Sequence, residues 1–195
     1  MMQVHHTNIY KIGDYSRHLK ALEPEDKLSR FGYPANDHSI DQLILNMCYH
    51  PKDHELWYAR DDGERVGWGH MARNSDDSWE LAVSVNKDYQ RQGIGNKLIS
   101  EMLAWAKFHK INEVYMHCIE DNKVIQHLAG KNELKTRSRG DGERTASIEV
   151  PEPSFFEVNT QLLKEQNEIL NQINILRKKL TKLWLNPIHQ YVDND

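Results

Sequence analysis

Cysteine is nearly absent from these 195 residues: only Cys48 and Cys118 occur, without C-x-x-C spacing. A disulfide framework, a thiolate zinc site and a dithiol redox motif are therefore excluded, and buried free thiols are expected. Long apolar runs are missing too. None approaches the ~18 residues a membrane-spanning helix needs, and Met1-Met-Gln-Val-His-His6 has neither the basic nor the apolar region of a secretory signal. A cytoplasmic protein without a membrane partner is expected. Basic residues are not in excess, 25 against 29 acidic for a net charge of −4, so there is no global electrostatic case for nucleic acid. Histidine is plentiful, with 11 copies, and His50 and His54 have helical i, i+4 spacing. Pro51 lies between them and no acidic or thiolate partner converges, so no metal is expected.

What is present is the alternation of a mixed α/β chain. Residues around 3 to 10 suit a first strand, and Asp14 with Ser16 offers capping chemistry for a first helix. Pro24-Glu-Asp26 opens a second, since proline suits a first turn and acids suit its positive end. Asp37 or Ser39 can cap a third helix carrying Ile40, Leu43, Ile44 and Met47, and this whole region is expected to wall the acceptor side of a site. Leu56 to Ala59 and Arg65 to Ala72 alternate as strands around Asp61-Asp-Gly63-Glu, a hairpin signal. Two further strands are expected near 132 to 138 and 144 to 150. The predicted fold is α/β in the α+β sense: a mostly antiparallel sheet flanked by helices, with a local parallel pair where a helix from 94 to about 109 crosses over.

The most informative stretch is Ser84-Val-Asn-Lys-Asp-Tyr-Gln90-Arg-Gln-Gly93-Ile-Gly95-Asn-Lys97. Leu81, Val83 and Val85 alternate with Ala82 and Ser84 as a half-buried strand. From Ile94 the apolar positions Leu98, Ile99, Met102, Leu103, Trp105 and Ala106 recur at helical spacing. The helix thus begins within a glycine loop, where unpaired N–H groups and the positive end of the macrodipole attract an anion. Gly93 and Gly95 allow close backbone approach to a phosphate. A glycine pair alone also suits a strand-to-helix turn that binds nothing. G-x-G-x-x-G and Gly-Lys-Ser/Thr are both absent, which removes dinucleotide-fold and P-loop readings.

The remaining pattern, Gln/Arg-x-x-Gly-x-Gly/Ala filled by Gln90, Gly93 and Gly95, resembles the GNAT superfamily of acyl-CoA-dependent N-acyltransferases, whose loop of this form holds the acyl-CoA diphosphate. Trp79 to Val85 looks like that family's fourth strand. Val114 to Glu120, followed by Asp121-Asn122, looks like its fifth strand and the start of the next helix. Ala21-Leu-Glu-Pro-Glu-Asp26-Lys-Leu-Ser-Arg30-Phe31-Gly is similar to a segment of a bacterial branch that includes the GNAT domains of protein lysine acetyltransferases. The resemblance covers residues 1–151 as a catalytic domain, leaving 152–195 as a helical extension.

The resemblance implies acetyl-CoA as cosubstrate and places Gln90, Arg91, Gln92, Gly93, Ile94, Gly95, Asn96 and Lys97 around its phosphates. Val83 and Val85 would bind the pantetheine arm and the thioester oxygen through their backbones, and Asn122 would contact the cofactor arm. Asn122 is equally a good helix N-cap. An alkylammonium must lose a proton before it attacks a thioester, and Glu80 matches by position a glutamate that is the general base in the lysine-acetylating branch. Alone, Glu80 also reads as a solvated strand residue. Seven residues beyond Asn122, Ala129 stands where many relatives carry a tyrosine acid, and Asn132-Glu-Leu134 replaces their Leu-Gly-Phe. His127, His117 and Cys118 could substitute for that acid, or simply pack.

After Pro151-Glu-Pro153, residues 154 to 186 have no proline or glycine, and Leu162, Ile169, Leu176 and Leu183 recur every seven residues with Ile173 and Leu180 between. A long helix with a coiled-coil seam is expected, ending at or before Asn186 because of Pro187. It either self-associates into a homo-oligomer or folds back upon the first domain, with Leu163, Leu170 and Trp184 widening the stripe. The functional expectation is transfer of an acetyl group to a primary amine by direct attack, the acceptor being a protein lysine or a small polyamine or amino-sugar. A non-catalytic acyl-CoA sensor is the rival.

Overall fold

The computed structural model describes residues 2–7, 11–119, 135–138, 143–150 and 153–192. Two compact units emerge, Met1–Pro153 and Ser154–Asp195. In the first, the described elements run β1 (Gln3–Thr7), α1 (Ile12–Ala21), α2 (Pro24–Phe31), α3 (Asp37–Tyr49), β2 (His54–Asp61), β3 (Glu64–Arg73), β4 (Trp79–Val85), α4 (Ile94–Phe108), β5 (Glu113–Ile119), β6 (Lys135–Ser138) and β7 (Glu143–Glu149). The strands form a sheet in the order β1-β2-β3-β4-β5-β7-β6. Neighbours are antiparallel except β4 and β5, which α4 joins as a parallel pair. The expected mixed sheet is therefore present.

Local chemistry explains the element boundaries. Asp62 and Gly63 both have positive φ, 41° and 95°, and Asp61 pairs with Glu64, which makes the β2–β3 connection the two-residue turn that matches strand twist. Pro24 opens α2, and Gly32 closes it at φ 75°. The caps of two other helices differ from expectation. Asn36, not Asp37 or Ser39, caps α3: its side-chain oxygen accepts from the Ser39 amide at 2.9 Å and the Ser39 hydroxyl at 3.0 Å. Neither Asp14 nor Ser16 caps α1, which starts at Ile12 without a side-chain cap. Asp14 instead pairs with Arg17 and, at 2.9 Å, with Arg65, so the two arginines use its acceptor capacity.

Strand alternation divides the core into two faces. On one, Trp57, Ala59, Met71 and Leu81 meet Leu98, Ile99, Met102, Trp105 and Ala106 of α4. A Cβ on Gly69 would lie 2.5 Å from the Met102 sulfur, so glycine lets α4 seat against β3. On the other face Leu56 and Trp68 meet Tyr15, Leu19, Leu22, Ile40 and Met47. A register shift between Ala59 and Arg60 leaves Val66 opposite no residue of β2. That bulge turns Val66 toward α4 while Trp68 stays on the opposite face. α2 packs on β4 and β5.

His50 and His54 do not share a helix: α3 ends at Tyr49, Pro51–Asp53 form one 3₁₀ turn, and His54 begins β2. Cys48 is exposed, not buried, since Ile40 and Met47 define the inner face of α3. Among the described residues no helix is long and apolar enough to cross a membrane.

The second unit is a single helix, α5 (Phe155–Val192). Ser154 and Glu157 form a reciprocal capping box, with the Glu157 amide donating to the Ser154 hydroxyl at 3.3 Å and the Ser154 amide donating to the Glu157 carboxylate at 2.8 Å. The S-x-x-E spacing of Ser154 and Glu157 is a helix start signal. The helix continues past Pro187, contrary to the expected end at Asn186. Proline removes one amide donor and disfavours the α conformation before it, a local cost that the helix on either side absorbs.

Candidate active site

The site begins where β4 and β5 part. Their parallel register holds at Trp79↔Val114 and Glu80↔Tyr115 only. The Asn86 amide donates to the Val66 carbonyl at 2.9 Å, which sets the phase of β4. With Gly67 opposite Val85, the backbone groups of Ser84 and Ala82 face β3, and those of Val83 and Val85 face the β5 side. Val83 thus presents an amide and a carbonyl to the gap. The Val85 carbonyl accepts the Gln90 side-chain amide at 3.1 Å.

The loop that follows is shaped by alternating backbone handedness. Arg91 and Gly93 have φ of 61° and 83°, and Gln92 between them is not positive. This alternation turns successive amides toward one concave side, the arrangement of an anion nest. Gly93 is the N-cap of α4 and supplies no side-chain cap. The first helical bond runs from the Lys97 amide to the Gly93 carbonyl at 3.0 Å, so the amides of Ile94 and Gly95 have no acceptor within the helix. A Cβ built on Gly93 meets nothing within 4 Å. The concavity is open there.

Each predicted loop residue has a definite place. The Gln90 amide also donates to Asp26 Oδ1 at 3.0 Å, so Gln90 ties the loop to β4 and α2. Gln92 donates to the Asp88 carbonyl at 3.1 Å. The Lys97 ammonium donates to the Met2 carbonyl at 2.9 Å, fastening α4 to the start of β1. The Ile94 side chain is buried in the core, and Arg91 and Gly95 lie at the outer surface and in the first helical turn respectively. Asn96 occupies that same turn. Asn122, Ala129, His127 and the segment 132–134 lie outside the described residues.

Glu80 is half-buried on the sheet face that carries α1, α2 and α3, with Ala72 of β3 and Tyr115 of β5 beside it. Among the described residues its carboxylate has no hydrogen-bond or ion-pair partner. The same face holds a polar cluster that the sequence did not reveal. His18 Nε2 lies 2.8 Å from the Ser84 hydroxyl. His70 Nε2 lies 3.1 Å from His54 Nδ1, and His54 Nε2 lies 3.0 Å from Asn46 Oδ1. Arg30 reaches both the Tyr15 hydroxyl and His70 Nδ1. No spacing rule links residues drawn from α1, α2, α3, β2, β3 and β4.

Burial holds these histidines neutral. His18 is pushed down to about 4, first by desolvation, with the Asn86 side chain opposing and the Arg30 charge adding. His70 lies well below its ordinary value through desolvation, then Arg30 and His54. His54 is lowered as well, again first by desolvation. Depressed values mean that the unfolded chain binds protons the folded one refuses. Stability is therefore full above pH ~6.5 and falls as acid approaches the folded pKa. At about 1.36 kcal/mol per unit, His18 alone should cost on the order of 2 kcal/mol at pH 5. Urea denaturation should show the midpoint falling from pH 7.5 to 5, with a shallower fall in His18→Gln. Equal midpoints for the wild type at the two pH values would contradict this account.

A mixed sheet whose parallel strands separate beside an open amide edge, followed by a nest at a helix N-terminus, defines an α/β protein built to hold an extended, phosphorylated cofactor. Residues 20–132 match the acetyltransferase (GNAT) family; the chain belongs to that family of acetyl-CoA-dependent N-acetyltransferases. Similar solved structures include the GNAT domain of S. lividans PAT, at 17% identity and TM-score 0.63, covering 76% of this chain and 90% of that one. The ribosomal-protein-S18-alanine N-acetyltransferase from Escherichia coli is similar at 12% identity and TM-score 0.57, covering 80% and 97%. Salmonella typhimurium yncA, solved with acetyl-CoA, is similar at 10% identity and TM-score 0.58, covering 79% and 96%. At these identities the three establish the fold.

Proposed function

We propose that this enzyme transfers an acetyl group from acetyl-CoA to a primary amine by direct attack, with Glu80 as general base. The observation that carries the reading is the continuity of the open Val83 edge with the nest at Arg91–Gly93 and the uncapped start of α4. An extended pantetheine arm can pair with the strand edge, and a diphosphate can accept from the amides of Gly93, Ile94 and Gly95. The residues fit such a ligand: space is open above Gly93, where a built Cβ meets nothing within 4 Å. Arg91 and Asn96 flank the phosphates, and Asn122 belongs to the same assignment through its position in the sequence.

In the reaction the amine nitrogen bonds to the thioester carbonyl carbon, the C–S bond breaks, and the thiolate departs with the electron pair. The nitrogen's proton passes to Glu80 directly or through water. Charge developing on the carbonyl oxygen is met by a β4 backbone amide. Resemblance to the lysine-acetylating branch favours a protein lysine as acceptor, with a polyamine or amino-sugar as the alternative. A screen of amines and lysine peptides for CoA-thiol release tests the assignment. A sensor module would bind acetyl-CoA and release no thiol with any of them.

The cofactor half is tested separately at Gly93. Gly93→Leu should weaken acetyl-CoA at least tenfold, about 1.4 kcal/mol, because the side chain would stand where the diphosphate lies. A left-handed non-glycine residue costs about 1 to 2 kcal/mol, so calorimetry belongs well below the variant's melting temperature. Unchanged affinity in the folded variant would remove the cradle assignment. For α5 we propose self-association through the stripe Leu162, Ile169, Ile173, Leu176 and Leu180, all of which are exposed.

A further inference from the structure

Arg30 is a partly buried cation whose contacts among the described residues are all to uncharged groups. Nη2 donates to the Tyr15 hydroxyl at 3.1 Å and to His70 Nδ1 at 3.3 Å, and the guanidinium carbon lies 5.0 Å from the centre of the Phe31 ring. Nε is enclosed with no acceptor. Among the described residues no carboxylate pairs with it. Asp26, one turn earlier on α2, gives one oxygen to Gln90 and forms no ion pair with Arg30.

The hydrogen bonds fix the state of the neighbouring histidines. Arginine only donates, so His70 Nδ1 accepts, and its proton sits on Nε2. That proton is donated to His54 Nδ1, leaving the His54 proton on Nε2 to be donated to Asn46 Oδ1. The chain runs one way, from Arg30 to α3, and each imidazole in it is neutral. It anchors the guanidinium without neutralising it. A guanidinium stays charged at any working pH, and an enclosed N–H without an acceptor is unfavourable. Among the described residues the protein supplies orientation but no anion.

The position of this charge relates it to the acceptor. His70 pairs with Ala82, and Ala72 pairs with Glu80, so His70 and Glu80 are diagonal neighbours on one face, about 7 to 8 Å apart. α2, which carries Arg30, packs on β4 and β5. We propose that Arg30 is a subsite for a carboxylate carried by the acceptor amine, its Nε–H donating to one carboxylate oxygen. This rests on the transferase reading of the Glu80 face and narrows it: the substrate is an amino acid, or a peptide amine with an acidic group beside it.

The test uses the full chain, saturating acetyl-CoA and amines matched for the carboxylate. Free lysine is compared with cadaverine, alanine with ethylamine, and lysine peptides flanked by Asp with the same peptides flanked by Asn. Thiol release gives kcat/KM, and calorimetry on the CoA-saturated protein gives affinity. The wild type should favour the carboxylated member of at least one pair tenfold or more. Arg30→Gln should bring that ratio towards one, and Arg30→Lys, which keeps the charge but loses the Nε donor, should lower it in part. If Arg30→Gln does not fold, the fall of the ratio in Arg30→Lys decides. The pair that responds distinguishes a free amino acid from a peptide. No carboxylate preference in rate or affinity, or an equal one in wild type and variants, overturns the subsite while thiol release still upholds acetyl transfer. Carboxylate-dependent binding that Arg30→Gln abolishes, without thiol release from any amine, upholds the subsite and overturns the transfer reading.

Discussion

Glu80→Gln should lower the rate of acetyl transfer by about 10² to 10⁴ while leaving acetyl-CoA affinity nearly unchanged. The substitution keeps the shape of the side chain and removes its ability to take a proton. Because the Glu80 carboxylate has no protein partner among the described residues, the change strands no buried donor and should cost little stability. The cofactor assignment lies on the backbone of Val83 and on the loop after Val85, so binding should not follow the side chain. Turnover at the wild-type level on the acceptor identified by the amine screen would rule Glu80 out as base.

The parts of this fold that were legible in the sequence are those specified by neighbours along the chain. Leu81, Val83 and Val85 declare a strand by alternation, α4 declares itself by its apolar stripe, and Asp62-Gly63 declares a hairpin because few residue pairs accept two positive φ values. The glycine loop was legible because glycine has a conformational meaning before a helix. Gln90 was legible as a loop residue, but its tertiary contacts were not. Its amide binds Asp26 and the Val85 carbonyl, contacts that exist only once α2 lies on the sheet. The Asn36 cap competed with two equally suitable neighbours, Asp37 and Ser39. Cys48 lies one position beyond the inward Met47, and thiols carry no periodic signal strong enough to override a general preference for burial.

The polar cluster was least legible for the same reason. Arg30, Asn46, His54 and His70 come from four different elements, and each alone reads as an ordinary surface or core residue. What distinguishes them is that Arg30 has neutral partners on one side and an unmet N–H on the other. That is a fact about desolvation and partner count. In the proposed subsite it bears on the acceptor, whereas the GNAT pattern speaks mainly for the cofactor, since a fold does not fix the substrate it hosts.

Ile169→Asp combined with Leu176→Asp should abolish self-association of the full chain. Leu162, Ile169 and Leu176 recur every seven residues, with Ile173 and Leu180 at the alternate positions, and this is the repeat that keeps one helical stripe facing a partner. In the single chain these side chains are exposed, Leu176 at 58% and Ile169 at 57%, an arrangement that water disfavours. Burying each is worth ~1.5 to 3 kcal/mol, and a pair of helices would bury four such groups at the two mutated positions, on the order of 6 to 12 kcal/mol. The replacement also sets unpaired carboxylates in a closed apolar seam, a second cost in the same direction. Acetyl-CoA binding by the first unit should persist, since the described core of that unit draws only on residues up to Val150. Sedimentation of the wild type should therefore give an oligomer at micromolar concentration and the double variant a monomer. A wild-type monomer under those conditions would sink the seam, and loss of acetyl-CoA binding in the double variant would assign the apolar stripe to the enzyme's own fold instead.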